Sequence, residues 1–173
     1  EFYFTKARKY GSNLEKALDD SNVPVSVYTN LIDAVHDNIG LMHRYISLRK
    51  KLLGLDELHM YDIYTPLIPD IEMNIPYEEA KKIVAEGLKP LGEEYQKVLQ
   101  EGFNNGWIDV YENENKRSGA YSWGAYGTHP YVLLNYNNTL DNVFTLAHEM
   151  GHAIHSYYSD KVQPYPYAAY KIF

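Results

Sequence analysis

Residues 145–154 read Thr145-Leu146-Ala147-His148-Glu149-Met150-Gly151-His152-Ala153-Ile154, and the interpretation of the chain turns on them. On an α-helix, side chains four apart are neighbours on one face. His148 and His152 can therefore aim two imidazoles at one divalent ion. Glu149 sits about 100° further round, where it can reach a water on that ion without being a ligand itself. This H-E-x-x-H pattern fits Zn²⁺ held by His148 and His152, with Glu149 as the general base for the water. The other seven residues carry no charge. They predict a buried helix holding three ionisable groups, which is unfavourable unless those groups are paired or bind a metal. A pair of core histidines bonded to carbonyls, with a glutamate at the rim, is the alternative reading.

Composition narrows the classes. The 173 residues suffice for one core-bearing domain, but the sequence begins at Glu1 and stops at Phe173 inside an apolar run, so a piece of a longer protein is expected. A net charge of −7 argues against nucleic acid and anionic membrane as partners, both of which need basic patches. There is no cysteine, hence no disulfide frame and no thiolate metal site, in keeping with a cytoplasmic setting. No apolar run reaches the roughly 18 residues of a membrane span. No signal peptide is visible, although a cut amino end would hide one. Tyrosine is unusually frequent, 18 residues; most are expected to pack the ring and wet the hydroxyl.

Periodicity predicts a mainly helical chain. Helices are expected over 3–19, with Gly11 a weak point, and over 25–53, closed by Gly54. His36 and His43 on the second lie two turns apart, roughly 10 Å, too far to share an ion. Residues 56–75 read as a wrapping connector, with Tyr61 to Pro66 alternating like extended chain. Asn74 is the expected cap of a helix over 77–86, followed by another over 90–104 whose Glu93, Glu94 and Glu101 form a solvated face. Asp109 to Arg117 reads as loop. Gly119 to Trp123 and Tyr131 to Tyr136 read as two strands around a glycine-rich turn. Thr139 or Asn138 caps the motif helix, which runs to about Ser159, and a new helix begins near Tyr167.

Catalytic zinc takes three protein ligands and a water. His155 is seven residues from His148, about 10.5 Å along a helix, and cannot share its ion. The metzincin spacing fails, because His155 and Tyr158 stand where a glycine and a third histidine are required. Asp160, the one later acid, is a weak candidate. A third ligand is not identifiable among these residues.

Three stretches carry a family resemblance: Lys116-Arg117-Ser118-Gly119-Ala120-Tyr121-Ser122, Thr128 to Tyr136, and His148 to Ser156, supported by the tail Gln163 to Phe173. They resemble the oligoendopeptidase F group of the thimet-oligopeptidase-like zinc peptidases. The resemblance implies a zinc-dependent endopeptidase acting on short peptides within a mostly helical, channel-forming fold. It carries over His148 and His152 as ligands and Glu149 as base. It implies a third ligand, a glutamate, about three residues beyond Phe173, with an oxyanion-stabilising loop further on. It also implies that Ala120, Tyr121 and Ser122 line the cleft and pair with substrate backbone. The expected architecture is one partial, helical, zincin-like domain: a helical wall over 1–106, a small sheet over 107–138, and the zinc-motif helix with its following turn over 139–173. Such a piece is expected to be inactive alone. A non-catalytic helical scaffold or binding module with a vestigial motif is the competing reading, and another H-E-x-x-H family with a different third ligand is a third.

Overall fold

Helix caps and apolar spacing set the elements. The structure, a computed structural model, describes residues 1–68 and 73–170, and these fall into two compact units divided between those segments.

The first unit holds α1 (Phe2–Ala7), α2 (Asn13–Asp19) and α3 (Val25–Leu52). The single helix expected over 3–19 is broken. Lys9 adopts φ 62°, and Ser12 starts a fresh helix by accepting a hydrogen bond from the Glu15 N–H. Helix α3 matches its expected bounds. It ends in a Schellman motif, with Gly54 at φ 67° donating to Lys51 and the Leu55 N–H reaching Lys50. Its apolar residues Leu31, Val35, Met42 and Leu52 are exposed, as are His36 and His43, while Arg49 is buried and donates to the carbonyls of Asp62 and Thr65. Residues 61–66 are not extended. Met60–Asp62 forms a 3₁₀ turn, because the Asp62 carboxylate accepts from the His59 N–H and draws the chain round. Part of the expected connector, residues 69–72, lies outside the described residues.

The second unit contains α4 (Tyr77–Gly87), α5 (Glu93–Asn104), α6 (Leu140–Val162), α7 (Tyr165–Ala168) and a three-stranded sheet. Pro76, not Asn74, occupies the N-cap of α4, since its fixed φ already suits a helix start. A 3₁₀ turn at Lys89–Leu91 delays α5 to Glu93. Glu93 and Glu94 are exposed and Glu101 is half-buried. The strands are β1 (Ile108–Asp109), β2 (Tyr121–Trp123) and β3 (Tyr131–Leu133), in the order β1-β3-β2. β2 and β3 form the expected antiparallel pair; β1 lies parallel to β3 where a loop was expected. A two-residue strand is too short for alternation to reveal. The last helix begins at Tyr165, earlier than expected.

Ala80 and Val84 of α4, Val98, Leu99 and Phe103 of α5, Val132 and Leu134, and the inner face of α6 close one core around Trp107. Tyr77 and Tyr136 are its buried tyrosines. Burial pushes both hydroxyls above the ordinary tyrosine range, and the Tyr136 hydroxyl donates to Ile75 O at 2.8 Å. Most other tyrosines are half-buried or exposed. Among the described residues no helix is long and apolar enough to cross a membrane. The fold class is thus mainly α with a small sheet ahead of the motif helix.

Close approach of α5 to α6 depends on Gly102. A Cβ there would meet Met150 Cε at 2.5 Å and Trp107 Cε3 at 3.0 Å. Gly102→Val is expected to destabilise by about 1–3 kcal/mol, read as a lower melting temperature of the full-length protein. Gly102→Ala should cost less, because the flexible Met150 end can yield.

Candidate active site

Thr139 caps α6, its hydroxyl accepting from the Asn142 N–H at 3.2 Å. Asn142 in turn accepts from the Asn137 N–H at 2.8 Å, so the turn before the helix and its first residues hold each other. Val143, Leu146, Met150, Ala153 and Ile154 are buried, and they fix which side of the helix faces the core. The opposite side carries Phe144, His148, His152 and His155, all exposed. The expectation of three buried ionisable groups is therefore corrected. Only Glu149 is buried, at 8% exposure. One residue of helical rotation turns it from the open face toward the core side.

His148 Nε2 and His152 Nε2 converge to 3.2 Å, with their rings edge to face. His152 Nδ1 lies 2.9 Å from the Tyr170 hydroxyl, and the Tyr170 ring stacks on His155 at 3.7 Å. With Nδ1–H donating to that hydroxyl, the Nε2 lone pair of His152 is free to face His148. Nothing in the motif points to Tyr170; its one sequence signal is its place in the tail that resembles the peptidase group.

Glu149 and His148 share an open depression with Ala120, Phe144 and Thr145. Of the three expected substrate-binding residues, Ala120 is thus beside the motif. Ser122 lines a different hollow, and Tyr121, half exposed on β2, lines neither. β2 is an edge strand, its outer side unpaired among the described residues. Asn135 holds the approach to it, its Nδ2 donating to Arg117 O and Gly119 O, both at 2.8 Å. Asp160 is eight residues past His152 on α6, about 12 Å of helix. Among the described residues no third His, Cys, Asp or Glu joins the histidine pair.

These donors fit a metal. Two nitrogens bound to one tetrahedral zinc at about 2.1 Å stand about 3.4 Å apart, close to the 3.2 Å between the two Nε2 atoms. The other ring nitrogen of His152 has an oxygen partner, as metal-ligating histidines usually do.

The profile of peptidase family M3 matches residues 3–173. The chain is 54% identical over 171 residues to oligopeptidase PepF of Bacillus subtilis, covering 99% of this chain and 26% of that protein. It is 48% identical over 166 residues to an oligoendopeptidase F homolog of Lactococcus lactis subsp. lactis, covering 96% and 28%. A crystal structure from Chlamydophila abortus, 47% identical, superposes with a TM-score of 0.86 over 99% of this chain and 29% of that one. The chain thus spans about a quarter of the length of the curated relatives it matches.

Asn135→Ala removes both bonds to the 117–119 segment. It is expected to cost about 1 kcal/mol and to speed amide hydrogen exchange at residues 117–121 of the full-length protein, while α5 keeps its protection.

Proposed function

Since the chain belongs to peptidase family M3, we propose that the protein it is part of is a zinc-dependent endopeptidase that hydrolyses short peptides. The observation that carries this is the convergence of His148 and His152 Nε2 at 3.2 Å beside a depression that Glu149 also lines. His148 and His152 would hold the ion, and the resemblance implies a glutamate after residue 173 as the third ligand. When bound, zinc supplies Lewis acidity to the scissile carbonyl and lowers the pKa of the attacking water. Glu149 does the proton work: its carboxylate accepts the water's proton and then delivers it to the leaving amine. Glu149 is buried, at 8% exposure, yet lines the same depression as His148, which supports a carboxylate held close to the ion site. Tyr170 orients the His152 ring through Nδ1.

The peptide would lie along the outer edge of β2, pairing its backbone with Tyr121 and Ser122 and passing Ala120 at the depression. Residues 1–106, 107–138 and 139–173 would then be wall, sheet and motif helix of one partial domain in a longer peptidase. The absence of cysteine supports a reducing, cytoplasmic setting, and the acidic charge supports peptides rather than nucleic acid or membrane as partners.

The test uses the full-length protein and a quenched fluorogenic peptide. Glu149→Gln should lower kcat by about 10²- to 10⁴-fold, with metal content by atomic absorption staying near one zinc per chain. An unchanged rate overturns the role of Glu149. His148→Ala should abolish both the bound zinc and the cleavage; a variant that keeps its full zinc complement removes His148 from the ligand set.

A further inference from the structure

Past His152, α6 continues through Ser156 to Asp160 on steps of four residues. There it meets the other end of β2 and the segment after the helix. Trp123, Tyr126, Asp160, Tyr165 and Tyr170 line a second hollow, distinct from the depression at Glu149. Tyr126 and Tyr165 stand 5.6 Å apart at 75°, two aromatic walls set nearly at right angles. The Tyr126 hydroxyl donates to Gln163 O at 2.9 Å, which fixes that wall to the end of α6. Asp160 is the one charged side chain among the described lining residues, and it is half-buried. It makes no ion pair with the described residues. Aromatic faces around a carboxylate favour a cation: the ring quadrupoles attract it, and the carboxylate accepts its N–H bonds.

We propose that this hollow is a substrate subsite for a positively charged group of the peptide, with Asp160 as the specificity-determining residue. The proposal rests on the peptide-cleavage reading above and adds the kind of peptide preferred. Spacing supports it. Ala120 stands at the Glu149 depression, whereas Ser122 and Trp123, two and three residues along the chain, stand at the hollow. A peptide paired along β2 therefore runs from one to the other. Asp160 lies about 12 Å of helix beyond His152, and an extended peptide advances about 3.3 Å per residue. The cation thus sits about two to four residues from the bond that is cut. Two sources of that charge fit, a lysine or arginine side chain and a free amino terminus.

The experiment compares fluorogenic peptides on the full-length protein. N-acetylated peptides carry lysine or its neutral isostere norleucine at each position two to four residues either side of the cleaved bond; a matched pair has free and acetylated amino ends. At one position, or for the free amine, the cationic peptide is expected to win by about tenfold in kcat/KM. Asp160→Asn should bring that ratio close to one, and Asp160→Glu should keep it. The same ratio is read as equilibrium binding by fluorescence anisotropy in the Glu149→Gln background, where turnover is suppressed. A wild-type protein that treats charged and neutral peptides alike, or an Asp160→Asn ratio equal to the wild type's, overturns the subsite. If no peptide is cleaved, the peptidase reading falls, while the anisotropy ratio still decides whether Asp160 selects a cation.

Discussion

The seating of one helix on one core governs the rest. Leu146 and Met150 of α6 are fully buried against a layer that includes Leu99 and Trp107. At about 1.5–3 kcal/mol for each fully buried large side chain, rotating α6 by a single residue would forfeit several kcal/mol. That fixes the azimuth of the helix, and with it the division of labour in the motif. The two histidines look outward and converge, while the carboxylate between them leans back into the protein. On a helix free to turn, the histidine pair would have no defined outer face and Glu149 no defined place against the core.

What was legible in the sequence follows from this. Long amphipathic helices with caps announce themselves, so α3 and α6 come out close to their observed bounds, Thr139 and Gly54 included. The motif histidines need nothing beyond helical geometry. The misreadings are of two physical kinds. Where a local side chain overrides a pattern, periodicity misleads: Ser12 restarts a helix inside a stretch that reads as one, and the Asp62 carboxylate curls a segment that alternates like a strand. Where an element borrows its stability from elsewhere, local reading is blind. β1 has two residues, and it exists because β3 offers it a partner more than twenty residues further on.

The uncharged flanks of the motif taught a partial lesson. They do mark a packed helix, but packing involves one side only: Ala147 and Gly151 are only partly buried, Ala147 at the margin of the core. A run without charges reads as burial all round; here it also keeps long charged side chains away from the imidazoles. Tyr170 and Asp160 belong to neither pattern. Their positions emerge only when the chain returns past the end of α6 and sets Tyr170 beside His152 and in the same hollow as Asp160.

The shortness of β2 carries one more implication. An exposed strand edge is a template for pairing with any passing chain, including a second copy of the same protein, and ordered self-stacking draws on segments of about six or seven residues. β2 is three residues long, ends at a bulky, 75%-exposed Trp123 and is followed at once by Gly124. Among the described residues, this edge is therefore too short and too abruptly ended to seed a growing cross-β stack.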